Sequence, residues 1–207
     1  KNGSIKIYSS NINSFNLIKS LYQKNYVISL LRLENENFVS GDFNGSFYVW
    51  NYQTCPDLIY RGGNKSSVHV LEYLKNRTFL SGSREGFITA WNIYNGTQIK
   101  EFYAGSMVRV IKSLNEMNKI KNVEINSSIP ITCISNTSLE TVKTIASGLG
   151  NGVIKIWDLS SFSLLYNLTG HTSAVQSIEY LPDKYLASGD ENGIIIIWNL
   201  LNQTKHT

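Results

Sequence analysis

Short apolar runs recur along the chain, and each follows a glycine-centred turn. The four clearest copies read SGDFNGSFYVWN, SGSREGFITAWN, SGLGNGVIKIWD and SGDENGIIIIWN. In every copy the first serine precedes a tryptophan by ten residues. A nearly continuous run of apolar, often β-branched residues is typical of a strand that is buried on both faces, so the pattern predicts strands inside a stack of sheets. The tryptophans are Trp50, Trp91, Trp157 and Trp198.

A tight turn is predicted inside each copy. An Asn-Gly or Glu-Gly pair stands before the apolar run, and such a pair between strands favours a two-residue hairpin whose residues take positive φ. A truncated fifth copy, NGSIKIY, opens the chain with Tyr8 in the tryptophan position. We predict a structural role for the turn glycines, which are Gly45, Gly86, Gly152 and Gly193.

Two further strands flank each copy. An apolar start lies thirteen residues before the Ser-Gly serine, at Val27, Val68 and Val175, and another short apolar stretch lies seven to eleven residues after the tryptophan. Each unit therefore holds four strands in about 40–45 residues, which is the unit of a β-propeller blade. No stretch keeps a helical period, so the predicted fold is all-β.

These repeats resemble the WD-repeat β-propeller family over about residues 2–199. The last copy is the clearest, because Gly170-His171 precedes its Ser-Gly pair. In that family a histidine, a turn aspartate, a strand serine or threonine and the tryptophan form a hydrogen-bonded chain within a blade. The resemblance implies such structural roles for His171, Ser188, Asn192 and the four tryptophans.

The other copies depart from this family pattern. Outside the last blade, other residue types stand where the family has its histidine and its turn aspartate, so we expect the hydrogen-bonded chain to be weak there. The histidine place is assigned to Gln23, Asn64 and Ser127, and the aspartate place to Asn44, Glu85, Asn151 and Asn192.

The chain is predicted to be one β-propeller segment. The two middle tryptophans are 66 residues apart, against 41 for the other neighbouring pairs, so the third complete blade carries an insertion. Val108–Leu114 and Ile131–Ser135 compete for its first strand, and Ile131–Ser135 is favoured because it lies closer to the next strand.

The ends supply only parts of blades, so we expect a piece of a longer propeller that does not close within this chain. The predicted divisions are a partial blade at 1–21, blades at 22–62 and 63–103, a blade at 104–169 with the insertion, a protruding hairpin, at about 104–130, and a blade at 170–207 that lacks most of its outer strand.

Composition narrows the function classes. The chain has 19 Lys and Arg against 15 Asp and Glu, a net charge of +4 that by itself does not indicate nucleic acid. Cys55 and Cys133 form no CxxC motif, so no disulfide framework or zinc cluster is expected. The longest apolar run, Ile194–Trp198, is far shorter than the roughly 18–20 residues of a membrane span. No apolar segment follows the first residues, which favours an intracellular location, the cytoplasm over the nucleus.

No catalytic, cofactor or metal site is predicted. None of the three histidines, His69, His171 and His206, has a carboxylate pair at metal-binding or acid–base spacing. The glycines between 148 and 152 imitate a phosphate loop, but Val153 stands where a dinucleotide fingerprint needs its third glycine, and a strand follows instead of a helix. We therefore expect a protein that is not an enzyme and needs no cofactor.

Protein or peptide partners are the expected ligands. The family resemblance implies a rigid platform that binds partners on the face carrying the turns before the tryptophan strands. Phe43 and Arg84 occupy the turn position and are the best candidate anchors, because aromatic and Arg residues dominate interface energetics. The alternative is that both are ordinary exposed turn residues. Weaker candidates are Glu191, His69 and Gln176. Two other functions stay open: a nucleic-acid-binding propeller, and a regulatory arm of an enzyme whose catalytic domain lies outside this chain.

Overall fold

The computed structural model describes residues 3–11, 14–34, 36–51, 53, 58–63, 66–74, 77–114 and 143–206. These residues form strands and turns, with one short 3-10 turn at Pro182–Lys184. The strands are β1 (Gly3–Asn11), β2 (Ser14–Gln23), β3 (Val27–Arg32), β4 (Asn37–Asp42), β5 (Ser46–Asn51), β6 (Leu58–Gly63), β7 (Val68–Tyr73), β8 (Thr78–Ser83), β9 (Phe87–Asn92), β10 (Gln98–Tyr103), β11 (Val108–Ser113), β12 (Thr144–Leu149), β13 (Ile154–Asp158), β14 (Ser163–Leu168), β15 (Val175–Leu181), β16 (Tyr185–Asp190), β17 (Ile195–Asn199) and β18 (Thr204–His206).

The strands form a row of antiparallel meanders. β1 and β2 make a two-stranded sheet, and the remaining strands make four four-stranded sheets: sheet I (β3–β6), sheet II (β7–β10), sheet III (β11–β14) and sheet IV (β15–β18). Within each sheet the spatial order follows the chain order, as is usual for consecutive strands. The predicted fold is confirmed: the described residues are all-β, with four four-stranded blades, a partial N-terminal blade and no closed sheet.

One strand assignment from the sequence is wrong. The first strand of sheet III is β11, in which Ile111 pairs with Ser147. Sheet II has the same pairing: Leu71, the fourth residue of β7, lies opposite Ser81, the serine of the Ser-Gly pair. The proposed strand Ile131–Ser135 lies outside the described residues. The extra chain falls between β11 and β12, so Val108–Ser113 belong to the blade and not to the insertion predicted at about 104–130. β11 is selected because it packs against sheet II. The longer connection from β11 to β12 that this requires adds little to the entropic cost of loop closure.

Glycines set the distance between neighbouring sheets. A Cβ atom added to Gly41 or Gly82 would lie 2.6 Å from a Cγ1 atom of Val68 or Val108, respectively. Those valines are the first residues of the next sheet's first strand, and both are fully buried. The glycine of each of these Ser-Gly pairs therefore leaves the space into which the first strand of the following repeat packs.

The core lies between adjacent sheets. The tryptophan side chains are only 2–5% exposed, and one cluster joins Phe47 and Val49 of sheet I to Phe79 and Trp91 of sheet II. Such burial of large apolar side chains is the main favourable term in folding. Stacked sheets thus share their hydrophobic surface in pairs, as expected for a repeat protein.

The outer face of sheet IV differs from the equivalent faces of the other sheets. Ile195 is 71% exposed there, whereas Phe47, Ile88 and Ile154, at the same repeat position, are fully buried. A Cβ atom added to Gly189 would meet no atom within 4 Å other than the Ser177 hydroxyl oxygen. The outer face of sheet IV therefore carries an apolar residue and a glycine at the positions that pack against a neighbour in the other sheets, but no described residue covers it.

Candidate partner-binding face

The turns that connect the second and third strands lie at one end of the sheets. In sheet I the Asp42 carboxylate accepts hydrogen bonds from the backbone N–H groups of Asn44 (2.9 Å) and Ser46 (2.8 Å). Gly45 completes the turn with a φ of 88°, a conformation that favours glycine. Because Asp42 turns inward to hold this backbone, the next side chain, Phe43, points outward and is 50% exposed.

Each turn is also tied to the segment before the first strand of its sheet. The backbone N–H of Phe43 donates to the Tyr26 carbonyl at 3.0 Å, and that of Arg84 donates to the Ser67 carbonyl at 3.2 Å. The N–H of Glu191 makes the corresponding bond in sheet IV. These bonds hold the turn backbone in place while leaving the side chains free to contact a partner.

Phe43 and Arg84 line one groove between sheets I and II. The groove has a volume of about 640 Å³, and we call it the Phe43–Arg84 groove. Glu191 and Gln176 do not line it, although both are exposed on sheet IV. The structure thus brings two of the predicted anchors together and leaves these two elsewhere. The residues that line the groove are Phe43, Asn44, Ser66, Ser67, Arg84 and Glu85.

Basic residues also stand at the turn-bearing end of sheets II and III. His69 follows the first residue of β7, at an irregularity of the strand pairing, and Arg109 has the same position in β11. Burial lowers the pKa of His69, and the positive charges of Arg109 and Arg84 lower this pKa further. His69 Nε2 and Arg109 Nε are buried and have no hydrogen-bond partner. His69, Arg84 and Arg109 therefore stand at the same end of two neighbouring sheets, whose first strands pack against each other.

Arg109 is a candidate that the sequence reasoning missed. Its position two residues before Ile111 corresponds to His69 before Leu71, so the repeat itself contained the signal. The wrong choice of first strand for sheet III assigned this residue to the insertion.

A buried chain of hydrogen bonds supports the turn of sheet IV. Trp198 Nε1 donates to Ser188 Oγ at 2.7 Å, and this oxygen lies 2.6 Å from His171 Nε2. His171 Nδ1 lies 3.0 Å from a carboxylate oxygen of Asp190. The turn aspartate is therefore Asp190, and its assignment to Asn192 is corrected: Asn192 is exposed, and its backbone N–H donates to Asp190.

The charge of Asp190 is stabilised inside the protein. Burial opposes ionisation, but the hydrogen bond from the Ile194 N–H, together with the hydrogen bond and charge of His171 and the Asn192 N–H, outweighs it and holds the pKa of Asp190 below its ordinary value. A carboxylate that accepts several hydrogen bonds is favoured in its charged form. This carboxylate joins the turn to the buried tryptophan, so its role is structural.

Sheet I contains an amide version of the same chain. Trp50 Nε1 donates to Ser40 Oγ at 2.8 Å, and Ser40 Oγ donates to Gln23 Oε1 at 2.6 Å. Asp42 accepts a 3.0 Å hydrogen bond from Asn25 Nδ2. The polar chain is thus not confined to the last blade, and the aspartate place of sheet I belongs to Asp42 and not to Asn44.

The other two sheets retain the tryptophan–serine bond. Trp91 donates to Ser81 at 2.8 Å and Trp157 to Ser147 at 2.9 Å. Asn64 and Ser127, assigned to the histidine place, lie outside the described residues, as do Cys55 and Cys133. Within the described ranges, no three or more His, Cys, Asp or Glu residues are grouped to hold a metal ion, and no helix is long and apolar enough to span a membrane.

Comparisons with known proteins place this arrangement among WD repeats. Residues 162–199 match the family model described as "WD domain, G-beta repeat". Apoptotic protease-activating factor 1 of Homo sapiens is 27% identical over 152 residues, which cover 64% of this chain and 12% of that protein. Mitochondrial division protein 1 of Candida glabrata is 24% identical over 166 residues, which cover 74% of this chain and 23% of that protein. The chain thus spans less than a quarter of the length of these two curated relatives.

A solved structure extends the likeness to nearly the whole chain. A chain in the crystal structure of a mitotic checkpoint complex superimposes with a TM-score of 0.72 at 20% sequence identity. The superposition covers 98% of this chain and 57% of that chain. At this level of identity the likeness shows the fold alone.

Proposed function

Because the chain belongs to the WD-repeat family of β-propeller proteins, we propose that it is a non-catalytic scaffold that binds a protein or peptide partner on its turn-bearing face. WD-repeat proteins generally serve as protein-interaction scaffolds. One observation carries it: Phe43 and Arg84, from two different sheets, line a single groove.

The physical support is a rigid surface with a large apolar group on it. Hydrogen bonds to Tyr26 and Ser67 fix the backbone of the two turns, so their ordering costs little on binding. Phe43 is half exposed although an aromatic ring gains from burial, and a partner that covers it supplies that burial. Rigid sheets that present short loops are a common platform for binding residues.

The proposal is tested with peptides selected from a random displayed library on the 207-residue chain. We expect the Phe43→Ala, Arg84→Ala double variant to bind the selected peptides at least about tenfold more weakly, since such anchors contribute more than about 1.4 kcal/mol each. Its melting temperature should stay within about 2–4 °C of the wild type, because both changes are on the surface.

The control is Tyr94→Ala, an exposed aromatic residue in the turn between β9 and β10. It should leave peptide affinity unchanged. Peptides that lose affinity with Tyr94→Ala and keep it with the double variant would refute the proposed face. A large fall in melting temperature of the double variant would show instead that these residues support the fold.

A further inference from the structure

The inner ends of two neighbouring sheets present basic groups to the same face. His69 of β7 and Arg109 of β11 occupy equivalent positions directly after the first valine of their strands. Arg84 lies on the turn of the same sheet as His69, and its backbone is bonded to Ser67, two residues before His69. Strands β7 and β11 pack against each other, and both begin at the end of the sheets that carries the turns, so the three basic residues share one end of sheets II and III.

The hydrogen-bonding capacity of this cluster is not used up within the described part of the chain. His69 Nε2 and Arg109 Nε are buried without partners, and a buried polar group left unpaired is costly. Burial lowers the pKa of His69, and the positive charges of Arg109 and Arg84 lower it further. Glu85 is the acidic side chain that lines the groove, and it is exposed on the turn directly after Arg84.

We propose that the partner binds with an acidic segment whose carboxylates contact Arg84, Arg109 and His69 while an adjacent apolar side chain packs on Phe43. This inference rests on the proposed function, because it names the chemistry of the ligand at the same face. An arginine guanidinium presents paired N–H donors that match a carboxylate, and such charge-assisted bonds are stronger than neutral ones.

A peptide fits the surface better than a nucleic acid does. Phosphate tracking needs a basic stripe that continues along the surface. Here the equivalent turn positions of sheets III and IV hold Gly150 and Glu191, so the basic region ends within two sheets. The half-exposed Phe43 beside a local positive cluster suits a short segment that carries both acidic and apolar residues.

The first arm of the experiment asks what the selected peptides contain. Peptides selected on the wild-type chain should be enriched in Asp and Glu over the starting library, and the enrichment should disappear on the Arg84→Gln, Arg109→Gln variant. Selected peptides that depend on Phe43 but show no acidic enrichment would overturn this inference and leave the proposed function standing. A selection that yields no Phe43-dependent peptide would overturn both.

The second arm measures affinity with defined probes. A fluorescein-labelled peptide with four Glu around one Leu, and the same peptide with Gln in place of Glu, are titrated by fluorescence anisotropy. The Glu peptide should bind at least about tenfold more tightly, and raising the salt should weaken it, since the attraction is between charges. Equal affinity of the two peptides, or tighter binding of a single-stranded oligonucleotide than of the Glu peptide, would refute the proposal.

Matched arginine variants locate the effect. Arg84→Gln should weaken the Glu peptide at least about tenfold, and Arg109→Lys should weaken it less than Arg109→Gln because the charge is kept. The control is Arg77→Gln. Arg77 stands at the opposite end of β8 from Arg84, with its guanidinium 4.8 Å from the Tyr94 ring centre. A loss with Arg77→Gln equal to that with Arg84→Gln would show only a general charge effect and would overturn the site.

Discussion

Two alanine substitutions at equivalent glycines test how the sheets stack. At Gly148, the new Cβ atom would lie 2.6 Å from Val110 Cγ1 and 2.7 Å from Val175 Cγ1. At Gly189, the nearest atom would be the hydroxyl oxygen of Ser177 at 2.8 Å, and this exposed side chain can rotate away. The new methyl group is therefore crowded at Gly148, between sheets III and IV, whereas at Gly189, on the outer face of sheet IV, it has room.

The difference between the two variants isolates the crowding. Both replacements remove a glycine from the unfolded chain, which stabilises the folded state by about 0.4–1 kcal/mol in each case. Overpacking a closed interface costs about 1–3 kcal/mol. We therefore expect Gly148→Ala to be about 1–3 kcal/mol less stable than Gly189→Ala, with the latter at or slightly above the stability of the wild type.

Urea unfolding followed by tryptophan fluorescence measures this difference, because the four indoles report on the interfaces. The midpoint should fall for Gly148→Ala at an unchanged slope, which identifies a change in stability and not in the surface exposed on unfolding. Midpoints of both variants at or above that of the wild type would contradict the assigned packing of Val175 on Gly148. A loss at Gly189→Ala as large as at Gly148→Ala would show that the outer face of sheet IV is covered in solution.

Three other predictions concern the tryptophan positions and their polar supports. Trp157→Ala should cost about 3–5 kcal/mol in urea unfolding, because it leaves a cavity where the buried indole stood, and a mild loss would contradict the burial. Gln23→Leu should cost about 1–3 kcal/mol by leaving the Ser40 hydroxyl without its acceptor, whereas Gln23→His, which copies sheet IV, should cost less; the reverse order would refute the bond. Because the pKa of Asp190 is lowered in the folded state, its stabilising contribution is complete above its ordinary pKa and disappears as the pH falls through the folded value. Urea midpoints should therefore fall below about pH 4, and less steeply for Asp190→Asn; parallel curves would contradict this.

The blade could be predicted from the sequence because its determinants are local. The ten-residue interval between serine and tryptophan spans one hairpin, so the turn and the apolar period of the next strand together specify the pairing of the second and third strands. The indole–serine bonds of Trp50, Trp91, Trp157 and Trp198 all span that interval.

Inward-facing polar residues were harder to predict than strands. Asp42 and Asp190 stand two residues before the asparagines that the sequence reasoning chose, and only the inward direction of the side chain distinguishes the two positions. That direction depends on the twist and irregular pairing of the strands, which a residue count does not contain. The roles of Phe43 and Arg84 in binding stay predictions, although their shared groove was not foreseeable from positions 41 residues apart.

The sequence by itself determined the repeating unit, its turns and the burial of its tryptophans, since these follow from interactions between residues close together in the chain. Only the tertiary structure decided which segment begins sheet III, because that strand is selected by the valine that fits against Gly82 of the preceding sheet. The same packing placed Arg109 on the strand next to that of His69. Residues that are distant in sequence meet through packing, and packing depends on shape in three dimensions and not on spacing along the chain.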